Sequence, residues 1–312
     1  MKAIIFNNYG LAELRYQEVA KPVAAEDQVL VKIHATAVNH IDIGMAAGAM
    51  KNVFSLKFPW TPGYDLAGVV EVVGTKVQGF KAGDEVYGAS LGGGTYAEYI
   101  AISPATIALK PRTLGFTEAA SVPVSAETAE QFLFRHANAQ KGQTVLIHGG
   151  AGAVGAYVVQ MAHQAGLKVL VTASLEDKNF LLGLGADEVI DYKGRPFESV
   201  VKNIDAVIDL VGGAVQERSY PVIKEGGILV SANQPVSEEL AVKHKIRAVF
   251  SQLQPSTEGL SRIAGQIDSG ALKAYAGEVY PLERTAEAWG RLQGKDGAKG
   301  ERKHGRIVLV NE

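Results

Sequence analysis

The feature that most limits how this chain can fold is a run of spaced glycines, Gly150-Ala-Gly152-Ala-Val-Gly155, set between two kinds of periodicity. Residues 144–148 before it are apolar, as in a buried strand, and residues 153–165 after it follow a helical pattern. A second apolar strand at 168–172 comes next. A strand that turns on glycine into a helix returns to a parallel neighbour by a right-handed crossover. The glycine spacing alone carries little weight, but in this setting it has a mechanism. Gly150 is expected to permit the turn, Gly152 to let backbone approach a pyrophosphate, and Gly155 to let the helix pack on the strand. The N–H groups of Ala153 and Val154 then meet the anion with the positive end of the helix dipole. The plain alternative is a glycine turn that binds nothing.

The same texture continues beyond the turn. Strands are expected at 189–190, 206–210 and 228–230, separated by helix-length segments, with a helical stretch at 125–137 leading in. Residues 122–256 therefore read as a doubly wound parallel sheet of the Rossmann type. From residue 2 to about 121 the pattern is short strands broken by Gly and Pro: 3–6, 29–36, 66–73, 85–87 and 96–100, with one short helix at 39–47. Strand texture returns at 279–282 and 306–310. The order describes an α/β protein in which a β-rich domain, residues 1–121 and 257–312, is split by the parallel-sheet domain.

Composition removes several kinds of chemistry. The chain has 312 residues, a net charge of −2 and no cysteine, so disulfides, thiolate nucleophiles and Cys-bound metals are absent. No apolar run approaches the roughly 20 residues of a membrane helix, and the first residues lack the pattern of a secretory leader. The expectation is a cytoplasmic protein without membrane or nucleic-acid partners. The basic segment 294–305, GKDGAKGERKHG, carries no interleaved aromatics and reads as a solvated loop.

NAD sites place Asp or Glu at the end of the second strand to bind the ribose hydroxyls. Here that position reads Val171-Thr172-Ala173-Ser174. Ser174 can donate to a phosphate, and Lys178 follows one helical turn later. Glu176 and Asp177 are expected to point to solvent. The missing acid favours NADPH, although Lys178 reads equally as an ordinary surface lysine.

With these residues in view, the chain resembles the medium-chain dehydrogenase/reductase superfamily, and within it the zinc-free, zeta-crystallin-like quinone oxidoreductases. The likeness runs through Val38-Asn39-His40-Ile41-Asp42, Pro62-Gly63-Tyr64-Asp65, Gly83-Asp84-Glu85-Val86-Tyr87-Gly88, Gly94-Thr95-Tyr96-Ala97-Glu98-Tyr99, the glycine turn and Gly305-Arg306-Ile307-Val308-Leu309. It implies a GroES-like catalytic domain beside the Rossmann domain. Zinc alcohol dehydrogenases of this superfamily carry Cys where this chain has Asn39, and Gly-His-Glu where it has Gly63-Tyr64-Asp65. Their third ligand position falls near Val124. The resemblance thus implies no catalytic zinc.

The resemblance further implies that Ser174, Lys178 and Tyr192 surround the adenosine 2′-phosphate, and that Val211, Gly212 and Asn233 lie beside the ribose and nicotinamide. Without a metal, the chemistry that remains is hydride transfer from NADPH to a small, already electrophilic acceptor: a quinone, an enone or a 2-alkenal. Asn39 is the candidate hydrogen-bond donor to the developing oxyanion, with helix capping as its other reading. Asp42, Tyr64 and Thr128 are candidate pocket residues, each open to a structural reading, and the final proton can come from water. An enoyl-thioester reductase and a non-catalytic NADPH-binding structural or sensor protein are the alternatives. A homodimer is implied, with a sheet edge near residues 246–251 available to continue across it.

Overall fold

A computed structural model describes residues 1–52, 54–294 and 304–311. It divides the chain into two units, Met1–Val124 with Pro255–Glu312, and Ser125–Gln254. Most of the basic segment 294–305 lies outside the described residues. Among the described residues no helix is long and apolar enough to cross a membrane.

The first unit holds strands β1 (Lys2–Ile5), β2 (Arg15–Glu18), β3 (Val29–Ala37), β4 (Asp65–Val73), β5 (Glu85–Ala89), β6 (Tyr99–Ile102) and β7 (Ile107–Leu109). The second unit holds β8 (Thr144–His148), β9 (Lys168–Ala173), β10 (Glu188–Asp191), β11 (Ile204–Asp209), β12 (Ile223–Ser231) and β13 (Arg247–Phe250), after which β14 (Ala276–Pro281) and β15 (Arg306–Val310) return to the first. In the first unit a sheet runs β14-β15-β3-β4-β5-β7, with β6 also on β3. Val29, Val31 and Ile33 alternate along β3 into a core with Leu66, Val70, Val86, Ile100, Ile102 and Ile107. These side chains share one face, as the two-residue period of a strand requires, and on the opposite face only Lys32 is exposed.

β3 shares one edge between two partners. Residues Val29 to Lys32 pair with β6, and Ala35 to Ala37 pair antiparallel with β15, Ala37 standing opposite Val308. On its other side β3 pairs with β4, Ala35 opposite Ala67. Continued by two residues, these registers bring Asn39, Asp65 and Arg306 to one place. The helix His40–Ala46 begins there.

The expected strand at 96–100 begins instead at Tyr99. Tyr96 leaves the ladder because its N–H bonds to the Pro62 carbonyl, and its ring is fully buried near Trp289, with ring centres 6.3 Å apart. β2 escaped the sequence reading because all four of its residues are exposed and show no apolar alternation.

The second unit is a six-stranded sheet in the order β10-β9-β8-β11-β12-β13, parallel at every pairing. The chain order reverses between β8 and β11, so the crevice at the carboxyl ends of those strands is the switch point of a doubly wound sheet. The helical stretch expected at 125–137 consists of an α-helix, Pro123–Glu130, continued as a wider π-helical turn, Gln131–His136.

His148 ends β8 with no exposed surface. Its Nδ1 lies 2.8 Å from Thr172 Oγ1 and its Nε2 lies 3.0 Å from Ser219 Oγ. The Ser219 hydroxyl donates to the Val215 carbonyl, so it accepts from His148 Nε2–H, and the Thr172 hydroxyl donates to Nδ1. The ring is held neutral, and burial pushes its pKa down to about 4. An unfolded chain takes up a proton near pH 6.5 that the folded chain refuses until about pH 4. His148 therefore contributes stability that is present above pH 6.5 and lost as pH falls toward 4, an effect of roughly 3 kcal/mol. His148→Gln is expected to lose about 1–2 kcal/mol at neutral pH, yet to lose less stability than the parent between pH 6.5 and 4. Urea denaturation followed by circular dichroism across that range checks this; parallel losses in the two proteins would refute it.

Candidate active site

At the meeting of β3, β4 and β15 a polar cluster is packed almost out of water. Arg306, 7% exposed, donates from Nη2 to Asp65 Oδ2 at 2.6 Å and to Asn39 Oδ1. Asn39 donates from Nδ2 to Asp65 Oδ2 at 2.9 Å and to the Ala37 carbonyl at 3.2 Å. Asp65, wholly buried, also accepts the Val124 N–H on Oδ1 at 2.8 Å. Its carbonyl accepts the Thr36 hydroxyl, which lies 2.8 Å from that of Thr95.

Asp42 sits one helical turn after Asn39. Its Oδ2 accepts the Asn39 backbone N–H at 2.7 Å and the Tyr96 hydroxyl at 2.8 Å. Its Oδ1 is enclosed with no hydrogen-bond partner among the described residues. Burial raises the Asp42 pKa to about 7; the Asn39 and Tyr96 hydrogen bonds and the Arg306 charge oppose the rise, and the charge of Asp65 adds to it. Asp42 has no exposed surface, so it does not line a pocket as the sequence reading expected. Burial instead makes it a support beneath the start of the helix His40–Ala46.

Asn39 needs a similar revision. Both hydrogens of its amide are held by Asp65 and Ala37, and its oxygen faces Arg306. In this arrangement it has no N–H to offer a substrate oxygen. Tyr64 differs from its neighbours. It is 5% exposed, its hydroxyl makes no hydrogen bond among the described residues, and that oxygen stays open to the surface. Burial, followed by the nearby charge of Asp42, raises its pKa to about 12. Thr128 lies in the second unit on the helix Pro123–Glu130 and is 7% exposed.

The second unit assembles its candidate residues at the carboxyl ends of its strands. Gly149, rather than Gly150, makes the turn after β8, with φ of +79°. Gly150 is required by packing, since a Cβ there would stand 2.2 Å from Val171 Cγ1. At Gly155 a Cβ would stand 2.4 Å from the Gly149 carbonyl, so helix and turn touch as expected. Gly152 precedes the helix Ala153–Gln164, and no side chain caps that helix among the described residues. The N–H groups of Ala153 and Val154 belong to its first turn, where helical partners are lacking.

β9 and β10 pair with Ala173 opposite Asp191, which sets Ser174 and Tyr192 side by side just past the two strand ends. Tyr192 is 58% exposed, and Lys178, at the start of the helix Lys178–Gly183, is exposed beside Glu176. Asp177 does not point to solvent. It is 5% exposed and accepts the Ser174 hydroxyl at 2.9 Å. A short polar residue at a helix start attracts such a local hydrogen bond, which a reading by strand ends overlooks. Past β11, the N–H groups of Val211 and Gly212 donate to Asp209 Oδ1 at 3.0 and 2.8 Å, and Asn233 Nδ2 donates to the Leu210 carbonyl at 2.6 Å. The uncapped helix, the bare glycine backbone and the exposed Lys178 fit a phosphorylated dinucleotide.

Residues 25–112 match the family described as alcohol dehydrogenase GroES-like domain, and residues 184–309 match the one described as zinc-binding dehydrogenase. The quinone oxidoreductase of Mus musculus is 33% identical over 332 residues, covering 99% of this chain and 98% of the mouse protein. The chain belongs to the quinone oxidoreductases of the medium-chain dehydrogenase/reductase superfamily. An NADPH-dependent alkenal/one oxidoreductase of Arabidopsis thaliana, named as chloroplastic, is 35% identical, over 94% of this chain and 76% of that protein. Among solved structures, the quinone oxidoreductase from Coxiella burnetii superposes with a TM-score of 0.89 at 32% identity, covering 99% of both chains.

The name of the second matching family raises the question of zinc. Asn39 and Tyr64 offer an amide already hydrogen-bonded and a neutral phenol, and Val124 offers no ligand. Asp65 is neutralised by Arg306. Among the described residues no three His, Asp or Glu side chains are grouped to hold a metal. This donor set does not fit zinc.

Sequence reading named Asn39 and Asp42 but missed Arg306 and Tyr96 as members of the site. The available signal was charge: two buried carboxylates near Asn39 need a cation, and an Arg opens the otherwise apolar strand β15. Arg306→Met is expected to destabilise the first unit by about 3–5 kcal/mol, because Asp65 is left buried without its partner. Adding Asp65→Asn should recover a large part of that loss. Thermal unfolding of the two variants and the parent checks this, and an Arg306→Met protein as stable as the parent would contradict it.

Proposed function

We propose that this chain is an NADPH-dependent reductase that passes hydride to quinones or α,β-unsaturated carbonyls without a metal. The observation that carries the reading is the cluster around Asp65. The residues at the family's ligand positions are tied up by Arg306 or are non-ligands, so the acceptor must be electrophilic before it binds. The names of the mouse and Arabidopsis relatives support that acceptor class.

When bound, reduced nicotinamide supplies the hydride. This chain would hold its pyrophosphate on the backbone from Gly149 to Gly155 and on the first turn of the helix Ala153–Gln164. Ser174, Lys178 and Tyr192 would receive the 2′-phosphate, and Val211, Gly212 and Asn233 would flank the ribose and nicotinamide. Ser174 turns its hydroxyl from Asp177 to meet a phosphate oxygen, and Lys178 contributes the charge. The Arg306 cluster keeps the start of the helix His40–Ala46 rigid. Holding donor and acceptor in a fixed geometry supplies much of the acceleration.

A cytosolic location and a homodimer belong to the same reading. β13 is an edge of the parallel sheet, and Phe250 on it is 39% exposed. Light scattering should give a mass of two chains, and a monomer at working concentration would remove that part.

Steady-state oxidation of NADPH and NADH with 1,4-benzoquinone, 9,10-phenanthrenequinone and a small enone tests the activity. Turnover should prefer NADPH and ignore a chelator. Lys178→Ala should raise the KM for NADPH by about tenfold or more, the loss of a charge-assisted contact, and leave the KM for NADH unchanged. Loss of activity on chelation, or preference for NADH, would overturn the reading.

A further inference from the structure

Around Asp65 almost every polar hydrogen already has a destination. The amide hydrogens of Asn39 go to Asp65 and Ala37. The Tyr96 hydroxyl donates to Asp42, the Val124 N–H to Asp65, and the Thr36 hydroxyl to the Asp65 carbonyl. The Tyr64 hydroxyl has no such destination among the described residues, although only 5% of the residue is exposed. A phenol so deeply placed ordinarily finds a partner, because desolvating an O–H without one is costly. The backbone that carries it is also fixed. Tyr64 directly precedes β4, and its carbonyl accepts the Ser90 N–H at 2.7 Å. A nearly enclosed donor on a fixed backbone, its hydroxyl open, is a site for a ligand oxygen.

We propose that Tyr64 is the acid of the reduction: its hydroxyl binds the carbonyl oxygen of the acceptor and then gives that oxygen its proton. The proposal rests on the reductase reading above. Hydride forms the new C–H bond at the β-carbon, and the electron pair of the C=C bond moves through the conjugated system to the carbonyl oxygen. The Tyr64 O–H bond breaks as the enolate oxygen takes the proton. The resulting enol becomes the saturated ketone, and the phenolate recovers a proton from water at its open tip. The acceptor gains two electrons as hydride and one proton, and the nicotinamide is the species oxidised.

Burial and the charge of Asp42 keep the phenol protonated throughout the neutral range. Such a donor gives up its proton only to an oxygen about as basic as an enolate, so it acts late, as the negative charge develops. A hydroquinone anion spreads its charge over an aromatic ring and needs that proton less. Tyr64 therefore favours enones and enals over quinones, which a purely structural tyrosine would not do.

Tyr64→Phe tests the assignment. The hydroxyl makes no hydrogen bond among the described residues, so the melting temperature and NADPH affinity should not change. With saturating NADPH, kcat for the enone should fall about a hundredfold, with KM little altered. The solvent deuterium isotope effect on that reaction should disappear, and quinone reduction should fall far less. Binding of 4-nitrophenolate, a stable oxyanion, to the NADP⁺ complex gives a readout independent of turnover, and Tyr64→Phe should weaken it by about tenfold. Enone kcat within twofold of the parent, or equal losses for enone and quinone, would overturn the proposal. Tyr64-dependent binding of 4-nitrophenolate by a parent protein that reduces neither acceptor would sink the reductase reading while supporting the donor.

Discussion

The buried ion pair of Arg306 with Asp65 is the contact on which the first unit's site depends. Taking two charges out of water costs several kcal/mol per ion, and their attraction offsets this only when the remaining hydrogen-bonding groups are also satisfied. Here they largely are: Asp65 receives Arg306, Asn39 and the Val124 N–H. The pair joins a strand near the start of the chain to the last strand, 241 positions away. Asn39, just before the helix that carries Asp42, is thereby tied to the C-terminal strand. The same pair leaves a lone carboxylate, Asp42, whose burial holds its pKa near neutrality and whose charge acts on Tyr64.

This arrangement explains what was and was not legible in the sequence. The glycine turn and its flanking strands could be read because every contact that defines them is local or follows one regular period. β8 and β15 stand where apolar periodicity put them. Tyr96 could not be placed, because its conformation is decided by the Pro62 carbonyl, Asp42 and Trp289, all distant in sequence. Arg306 was visible only as one residue of a motif. Nothing near it in the chain states that its partners are Asp65 and Asn39.

The errors at the cofactor end have a different origin. Gly149 and Gly150 are adjacent glycines, and spacing alone cannot tell the one that turns from the one that Val171 presses upon. Asp177 was expected in solvent because it lies beyond the strand, yet the helix that starts there turns its carboxylate back onto Ser174. That inward turn removes Asp177 from the surface a ribose would meet. The charges that stand exposed nearby are those of Glu176, Lys178 and Lys193, the last with its ammonium 5.9 Å from the Tyr192 ring centre, so two lysines are available there to a phosphate.

In the proposed function the two units divide recognition from chemistry. The second unit presents mainly backbone, an arrangement suited to a long anionic ligand and tolerant of side-chain change away from the glycines. The first unit holds a preorganised polar cluster in which the cation is already matched by Asp65, while the Tyr64 hydroxyl makes no hydrogen bond among the described residues. In the proposed reaction this cluster would meet a developing oxyanion with an O–H rather than a metal, and a neutral donor stabilises charge less strongly than a divalent cation. On that reading, the acceptors are ones that delocalise the arriving electrons by themselves. On the same reading, the Arg306–Asp65 pair removes Asp65 as a metal ligand and ties Asn39 at the start of the helix beside it.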